Sequence, residues 1–385
     1  MVLNREKLEQ LVSKKVVVDR FLDMIKVHGP SKNEIKFAEY MIKQMESLGA
    51  EIYLDNGFET YGGNAPVIFA KFKGSLPGEG ITFSVHMDVI EPHAGVEPII
   101  EGDIIRTDGS TTLGGDDRGG CASVTEALRV IKANNIEHQD IYVIMSTCEE
   151  VGLLGAKSID WDKVPEHMMP SKKMLVVDNA GRAGLVAHTG PARYEFEITF
   201  KGKKAHAGVE PEKGINAIQL ASIAVANMNI GRIDELTTSN IGNIITEGPL
   251  NVVPDECKVI GEIRGHDEDK ISGILDTYKK SCEKAVDNLG GEFVFDIEQA
   301  FPALKPIDDL KFAKEICAVY DAIGVKSELE VIGGGTDGNI YSLKGFNPAI
   351  IGVGMYDAHT LSENLNTEDL YNTTLAIVKY VAEKK

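Results

Sequence analysis

Several features that would point to particular classes of protein are scarce or missing in this sequence. Only 5 of the 385 residues are cysteine, and no two have CxxC spacing, so neither a disulfide framework nor a cysteine zinc site is indicated. No run approaches the roughly 18 apolar residues needed to cross a bilayer. The first 15 residues are rich in charge, so no secretory or transit segment is predicted. We therefore expect a cytoplasmic protein with reduced thiols.

Positive charge is also in short supply. The chain has 40 Lys and Arg against 59 Asp and Glu, which gives a formal net charge of −19. Such an excess repels phosphate backbones and anionic membrane surfaces, so neither nucleic acid nor membrane is an expected partner. Carboxylates are also the ligands that divalent cations prefer, although most acidic excess is merely a solvated surface.

The sequence does contain an alternation of apolar runs and helical patterns. The apolar runs are typical of strands that are covered on both faces. They lie at 66–70, 81–85, 141–145, 174–177 and 349–353. Two helical patterns occupy 3–48, and others occupy 118–132, 310–323 and 367–383. This alternation predicts an α/β domain with a largely parallel sheet, whose chemistry would lie at the carboxyl ends of the strands.

The middle of the chain has a different pattern. Residues 194–200 alternate strictly between apolar and polar, which predicts a strand with one solvated face. Further helical patterns follow at 215–228 and 268–288, with strand-like segments at 243–246, 257–263 and 293–297. We therefore predict an α/β domain at 1–187 and 301–385, interrupted by an inserted α+β domain of one sheet and two helices at 188–300.

Potential metal ligands and acids follow the predicted strands of the α/β domain. They are His86 and Asp88 after 81–85, Glu149 and Glu150 after 141–145, Asp178 after 174–177, and His359 after 349–353. Each has an ordinary explanation when it is taken alone: a structural histidine, a pair of exposed acids or a solvated turn acid. Their recurrence at the same edge of one sheet is improbable by chance.

The run at 114–120, Gly-Gly-Asp-Asp-Arg-Gly-Gly, leads directly into a predicted helix and carries Asp116 and Asp117. Glycine permits a tight bend there, and acids are stabilised at the positive end of a helix. An ordinary aspartate N-cap is the alternative. Together with the residues at the strand ends, two imidazoles and three carboxylates, one of them shared, suit a pair of divalent cations, with zinc the first candidate.

These motifs resemble a family of zinc peptidases and amidohydrolases that includes peptidase T, aminoacylase and bacterial glutamate carboxypeptidase. The segments at 84–88, 114–120 and 148–152 and the late His359 occur in the family's order across nearly the whole chain. The resemblance implies a zinc-exopeptidase-like α/β domain with an inserted α+β dimerisation or lid domain. Paired acids followed by Arg-Gly-Gly resemble the peptidase T branch more than the aminoacylase branch.

The resemblance also implies a set of metal ligands. Asp116 would bridge two Zn²⁺ ions, with His86 and Asp178 completing one site and Glu150 and His359 completing the other. Co²⁺ or Mn²⁺ would be able to substitute for zinc.

Catalytic roles follow from the same resemblance. Glu149 would be the general base and acid for a water held between the metals, and Asp88 would orient His86. The peptide bond between Asp116 and Asp117 would be cis. In the inserted domain, His206 would reach a neighbouring active site in a dimer and polarise the scissile carbonyl.

Substrate-binding residues are implied in two places. Asn251 and Arg264 would receive a substrate carboxylate, for which a guanidinium fork is well shaped. Gly335 and Thr336, in the glycine-rich turn at 333–339, would line the cleft. Without the resemblance, His206 would be expected as a surface histidine and Arg264 in a surface ion pair.

The expected function is therefore a dizinc metallopeptidase that hydrolyses short peptides, as a tripeptide aminopeptidase in a cytoplasmic homodimer. One alternative is a dizinc amidohydrolase that removes N-acyl or N-carbamoyl groups from amino acids. Another alternative, of a different class, is a catalytically silent relative that binds peptides. The presence of Glu149 together with every ligand argues against a silent protein.

Overall fold

A computed structural model of the chain describes residues 3–383. Over that range the helices are α1 (Arg5–Leu11), α2 (Lys14–Ile25), α3 (Ile35–Leu48), α4 (Gly115–Ala133), α5 (Leu154–Ser158), α6 (Ala217–Ala226), α7 (Glu268–Leu289), α8 (Lys311–Ala322), α9 (Asp337–Ser342) and α10 (Thr367–Glu383). The strands are β1 (Glu51–Asp55), β2 (Val67–Phe72), β3 (Ile81–His86), β4 (Ile99–Glu101), β5 (Ile104–Arg106), β6 (Ile141–Ser146), β7 (Lys173–Asn179), β8 (Leu185–Thr189), β9 (Ala192–Lys201), β10 (Gly231–Asp234), β11 (Thr237–Ile245), β12 (Glu256–Gly265), β13 (Glu292–Phe301), β14 (Glu328–Val331), β15 (Asn347–Gly352), β16 (Met355–Tyr356) and β17 (Asn364–Asn366).

The chain divides into two compact units. The first comprises the chain up to His188, Lys305–Val331 and the chain from Thr336 onward, and the second comprises Thr189–Leu304 and Ile332–Gly335. The first unit is α/β, and the second is an α+β unit with a five-stranded sheet and helices α6 and α7. The predicted fold class is confirmed.

The first unit is built on an eight-stranded sheet in the order β1-β2-β6-β3-β7-β15-β8-β14. Strands β6, β3, β7 and β15 at its centre run parallel. Towards the edges β1, β2 and β8 pair antiparallel, so the sheet is mixed, and the prediction of a largely parallel sheet holds for its centre. The central strands are buried along almost their whole length, which explains their continuous apolar runs.

Helices complete the core of the first unit. Helices α4, α2 and α10 contact one another, and α10 is buried along nearly all of its length. The helical patterns at 3–48 form three helices rather than two, because the chain leaves the helix at Val12 and Ser13 between α1 and α2. Helix α3 ends at Gly49, which adopts φ 92°, a left-handed conformation that glycine takes without strain.

The second unit has an antiparallel sheet in the order β10-β11-β12-β9-β13. Alternate residues of β9, among them Phe196, Ile198 and Phe200, are buried in a core formed with α6 and α7. The side chains between them are partly exposed, as the strict alternation predicts. Helix α7 begins at the N-cap Asp267, whose side chain accepts the N–H groups of Asp269 and Lys270.

None of the helices in residues 3–383 is both long enough and apolar enough to cross a membrane. All five cysteines are free thiols, and four of them are buried.

Candidate metal centre and active site

The carboxyl ends of the central strands bring most of the predicted ligands together. Strand β3 ends at His86, β7 contains Asp178 next to its last residue, and Glu150 follows β6. His359 lies between β16 and β17, which belong to a small four-stranded sheet with β4 and β5. Since the parallel strands end at one edge of the sheet, side chains far apart in sequence meet there.

Asp116 lies between the two imidazoles. Its Oδ1 is 2.8 Å from Nε2 of His86, and its Oδ2 is 3.3 Å from Nε2 of His359. Asp178 approaches the first imidazole, with its Oδ1 3.6 Å from Nε2 of His86. Glu150 approaches the second, with its Oε2 2.8 Å from Nε2 of His359. The two oxygens of Asp116 therefore face two separate sets of ligand atoms, as expected for a bridging carboxylate.

The backbone before α4 is shaped to present Asp116. Gly114 has φ 75°, and a Cβ on this residue would lie 2.6 Å from Nε2 of His93. Asp116 and Asp117 have non-helical dihedral angles, so regular helix begins only after them. The peptide bond between these two residues is cis, as the resemblance predicted.

Asp117 is also close to His86 and Asp178, near enough to share a cation with them. However, its Oδ2 accepts the backbone N–H of His86 at 3.2 Å, and its Oδ1 accepts the N–H of Gly120 at 2.9 Å. Both carboxylate oxygens thus hold the backbone in place. Asp116, whose oxygens face imidazoles, is the better candidate for a metal bridge.

Asp88 connects three parts of the site. Its Oδ1 lies 3.3 Å from Nδ1 of His86, and the same carboxylate accepts the backbone N–H groups of Glu149 at 2.9 Å and Glu150 at 3.2 Å. The Ser31 hydroxyl donates a further hydrogen bond at 2.8 Å. Asp88 therefore holds the segment that carries both glutamates, a second task that the sequence did not reveal. Nδ1 of His86 also lies 3.1 Å from the backbone carbonyl of Asp88, and orientation of the imidazole by the Asp88 carboxylate stays a prediction.

The segment before Glu149 is held by a further buried acid. Glu34 is fully buried, and its Oε1 accepts the backbone N–H groups of Cys148 and Lys32. Burial, together with the neighbouring Glu34 carboxylate, raises the pKa of the Cys148 thiol, so that it stays protonated. This environment is that of a buried structural thiol and not of a nucleophile.

Glu149 is 9% exposed, and burial raises the pKa of its carboxyl well above the usual range. The negative charges of Asp178 and Asp337 act in the same direction. Asp337 is 2% exposed and accepts a hydrogen bond from the Ser146 hydroxyl at the end of β6. Asp337 follows Gly335 and Thr336 in the glycine-rich turn that the resemblance placed at the cleft, but no local pattern indicated that its own side chain would be buried beside the end of β6.

Burial and mutual repulsion perturb the ligand carboxyls strongly. Burial, with the charge of Asp116, raises the pKa of Asp178 to about 8 and that of Glu150 to about 7. Burial would also raise the pKa of Asp116, but hydrogen bonds with His359 and His86 hold it well below its usual range. The buried negative charge exceeds what two imidazoles balance, so protons or cations must compensate for it.

The donor set fits divalent cations. Ligand atoms of His86, Asp116 and Glu150 lie within 4.8 Å of one another, as do those of His86, Asp117 and Asp178. Within residues 3–383, the buried Oε1 of Glu150 has no hydrogen-bond partner, which leaves a lone-pair donor available to an ion. Imidazole and carboxylate ligands are typical of zinc centres. The residues present form a candidate site for two metal ions.

Comparisons with known proteins agree with this geometry. Residues 187–289 match the peptidase dimerisation domain of the M20 family, and residues 100–180 match the M42 glutamyl aminopeptidase family. Protein YqjE of Bacillus subtilis, itself uncharacterised, is 34% identical over 376 residues, which cover 97% of this chain and 99% of that protein. The crystal structure of aminopeptidase PepT from Bacillus cereus is 30% identical, with a TM-score of 0.87 and coverage of 97% of this chain and 99% of that one.

The chain belongs to the M20 peptidases, in their peptidase T-like group. Two further relatives support this assignment. A Staphylococcus aureus tripeptidase structure is 27% identical, with a TM-score of 0.90, and covers 97% of this chain and 100% of that one. Peptidase T of Haemophilus influenzae is 24% identical over 345 residues, which cover 87% of this chain and 80% of that enzyme. The predicted family is confirmed, and this M20 peptidase is a hydrolase.

Four predicted site residues of this M20 peptidase lie in its second unit: His206, Asn251, Arg264 and Gly335. The backbone N–H of Ala207 donates to the carbonyl of Asn251 at 2.9 Å, so the turn that carries His206 lies beside Asn251. Nδ1 of His206 accepts the N–H of Gly208 at 3.2 Å. The second unit therefore brings His206 and Asn251 together, while their action on substrate stays a prediction.

Arg264 lies on β12 and its guanidinium is engaged locally. Its Nε is 2.9 Å from Oε1 of Glu262, and Nε of Arg193 is 2.7 Å from the other oxygen of the same carboxylate. The surface ion pair that the sequence alone favoured is thus present. Reception of a substrate carboxylate by Arg264 stays a prediction.

The glycine-rich turn is split between the two units. A Cβ on Gly335 would lie 2.3 Å from the ring of Phe301, so this close packing requires glycine. Thr336 is the N-cap of α9, and its hydroxyl accepts the N–H of Gly338 at 3.1 Å. The Thr336 side chain therefore has a capping role, and substrate contact by either residue stays a prediction.

Proposed function

We propose that this M20 peptidase is a dizinc tripeptide aminopeptidase. The proposal rests on the position of Asp116. Each of its two oxygens faces a different imidazole, and each imidazole has a second carboxylate beside it. Full-length similarity to an aminopeptidase and to a tripeptidase supports the choice of substrate class. Short peptides, rather than N-acylated amino acids, are the proposed substrates.

Five residues would hold the metal ions. His86 and Asp178 would bind one ion, Glu150 and His359 would bind the other, and Asp116 would contribute one oxygen to each. When bound, two zinc ions would supply Lewis acidity and would neutralise the buried carboxylates. Cobalt or manganese, which accept the same nitrogen and oxygen ligands, would be able to occupy these positions.

The chain's own residues would move the proton. The carboxylate of Glu149, buried beside the ligands, would take a proton from the attacking water and later give it to the leaving amine. Burial raises the pKa of Glu149 above the usual range of a carboxyl, which favours the protonated form that must later act as the acid. Asp88 would fix the position of Glu149, because its carboxylate accepts the backbone N–H of Glu149.

The second unit would supply recognition. His206 would polarise the scissile carbonyl, and Asn251 and Arg264 would bind the substrate carboxylate, for which Arg264 would have to exchange its partner Glu262. Gly335 and Thr336 would border the substrate. We also propose a homodimer formed through the dimerisation domain, since residues 187–289 match that domain, and a cytoplasmic location.

The decisive experiment combines metal analysis with a substrate panel. The chain is stripped with a chelator, reloaded with zinc, cobalt or manganese, and assayed on tripeptides, dipeptides and N-acetyl amino acids. We expect two ions per chain and the highest kcat/KM on tripeptides with a free amino terminus. Preferential release of acetate from N-acetyl amino acids would establish the amidohydrolase alternative. Peptide binding without cleavage in every metal would indicate a silent relative.

A further inference from the structure

We infer that Glu363 is a positioning residue that holds the loop carrying Asp116 and thereby sets the affinity of the site for its metal ions. The inference rests on the proposed function, because it takes Asp116 to be a shared ligand. Glu363 was not among the residues that the sequence indicated. It lies four positions after His359, in the segment that leads into β17.

The carboxylate of Glu363 accepts three backbone hydrogen bonds from one short loop. Its Oε2 accepts the N–H groups of Leu113 at 2.8 Å and Gly114 at 2.9 Å, and its Oε1 accepts the N–H of Asp116 at 3.0 Å. The Glu363 residue is 3% exposed. Hydrogen bonds to a charged acceptor are about twice as strong as neutral ones, and little water competes for them here.

The loop depends on these bonds because it precedes regular helix. The first N–H groups of a helix have no partner within it, and the non-helical angles of Asp116 and Asp117 extend this unpaired stretch. Glycines at 114 and 115 add backbone freedom. A Cβ on Gly115 would lie 3.1 Å from Oε1 of Glu363, so the loop and the carboxylate are in close contact.

Glu363 also connects the two chain segments that carry His359 and Asp116, which are both proposed ligands of the second metal ion. Its own N–H donates to the carbonyl of Thr360 at 3.2 Å, which closes the turn that follows His359. The same residue therefore connects the chain that presents His359 to the chain that presents Asp116. The distance between these two ligands, 3.3 Å from Nε2 of His359 to Oδ2 of Asp116, depends on that connection.

Two substitutions test the inference. In Glu363→Gln the side chain keeps its shape, but its amide nitrogen is a donor that faces backbone donors, so at least one of the three bonds is lost. In Glu363→Asp the charge remains while the carboxylate is withdrawn by one methylene. The matched control is Glu126→Gln in α4, a fully buried carboxylate bonded to Arg20 and Arg129.

The measurements are cobalt titrations of the metal-free full chain, followed by visible absorption, with zinc competition, metal content and thermal unfolding of the metal-free form. We expect Glu363→Gln to weaken binding of at least one ion by roughly 10–100-fold and to change the cobalt spectrum. Glu363→Asp should give a smaller loss. The kcat at saturating metal should fall while KM changes little, and Glu126→Gln should bind metal as the parent does.

The inference fails if Glu363→Gln binds both ions with the parental affinity and spectrum, even if its thermal stability is lowered as in the control. If Glu363→Gln does not fold, Glu363→Asp decides by the same measurements, with unchanged affinity again counting against the inference. A parent chain that binds fewer than two ions would instead contradict the proposed function, so the two failures are distinguishable.

Discussion

At the scale of single residues, similar carboxylates have different tasks because their oxygens meet different partners. Both oxygens of Asp117 accept backbone N–H groups, whereas those of Asp116 face imidazoles. Glu150 has one oxygen beside His359 and one buried oxygen without a partner among the described residues. An unpaired buried oxygen is costly in a finished structure, and the proposed binding of a metal ion by Glu150 would satisfy it.

The first prediction concerns Glu149. Glutamine has nearly the same shape but cannot take a proton, so Glu149→Gln should keep two metal ions and lower kcat on a tripeptide by roughly 10²–10⁴-fold. Metal content by mass spectrometry and steady-state kinetics measure the two quantities. Substitution of the exposed Glu59 by glutamine is the control. A variant as active as the parent would show that another residue is the base.

The second prediction concerns His93, which is 1% exposed and has no hydrogen-bond partner for either ring nitrogen within residues 3–383. Burial lowers its pKa to about 3, and the charges of Arg118 and His28 add to this effect against the opposing charge of Glu91. In the unfolded chain the pKa returns to about 6.5. The unfolded state therefore binds more protons below that pH, and stability is lost as the pH falls.

For His93 this loss should reach about 2 kcal/mol in the free energy of unfolding at pH 5 relative to pH 7. His93→Asn should remove that part of the pH dependence. Urea unfolding at both pH values measures it, with substitution of the exposed His167 as the control. Parallel pH profiles for the parent and His93→Asn would contradict the prediction.

At the scale of secondary-structure elements, Gly120 near the start of α4 allows the helix to approach β7 closely. A Cβ on Gly120 would lie 2.0 Å from the carbonyl oxygen of Val177 and 2.3 Å from Oδ1 of Asp117. Because the first of these atoms belongs to the backbone of a central strand, it cannot move aside alone. The position of Asp117, and through it the end of β3 at His86, depends on this close packing.

The third prediction follows from that contact. Gly120→Ala should lower the free energy of unfolding by roughly 1–3 kcal/mol, the usual cost of overpacking. The control is Gly273→Ala in α7, where the added Cβ would have no atom within 4 Å among the described residues, apart from its two neighbours and the adjacent backbone of the helix. This substitution should stabilise its helix by roughly 0.5–1 kcal/mol. Urea unfolding followed by circular dichroism measures both. Parental stability for Gly120→Ala would mean that α4 and β7 are further apart.

At the scale of the whole molecule, the chain combines an α/β unit that carries every candidate metal ligand with an α+β unit of the M20 dimerisation type. The predicted recognition residues His206, Asn251 and Arg264 belong to the second unit. Each unit has its own hydrophobic core. This separation leads to a prediction about assembly.

The fourth prediction is that the full chain is a homodimer and that His206→Ala lowers kcat without loss of metal. A missing donor to a developing oxyanion costs roughly 10²–10³-fold in rate. Light scattering during size-exclusion chromatography measures the mass, and kinetics with metal analysis measure the rest. His167→Ala, an exposed histidine paired with Glu51 in the first unit, is the control. A fully active monomer would exclude action of His206 across a dimer interface.

Local patterns determined a large part of this protein. Continuous apolar runs predicted the buried central strands, and strict alternation predicted β9. These strand predictions succeed because burial imposes a periodicity on neighbouring residues. The segments that follow the strands supplied His86, Glu150 and Asp178 as candidate ligands, whose binding of metal stays a prediction. The resemblance of a few motifs then indicated the family and the cis peptide between Asp116 and Asp117.

Only the tertiary structure decided which distant groups share a hydrogen bond. Examples are the antiparallel pairing at the edges of the main sheet and the hydrogen bonds from the backbone of Glu149 and Glu150 to Asp88. The hydrogen bond from the backbone of Cys148 to Glu34 and the three backbone hydrogen bonds to Glu363 are further examples. Glu363 lies 250 residues from Leu113, and no sequence pattern records such a pair. A buried acid takes whichever donors the fold brings to it, and that choice is made by packing rather than by its neighbours in sequence.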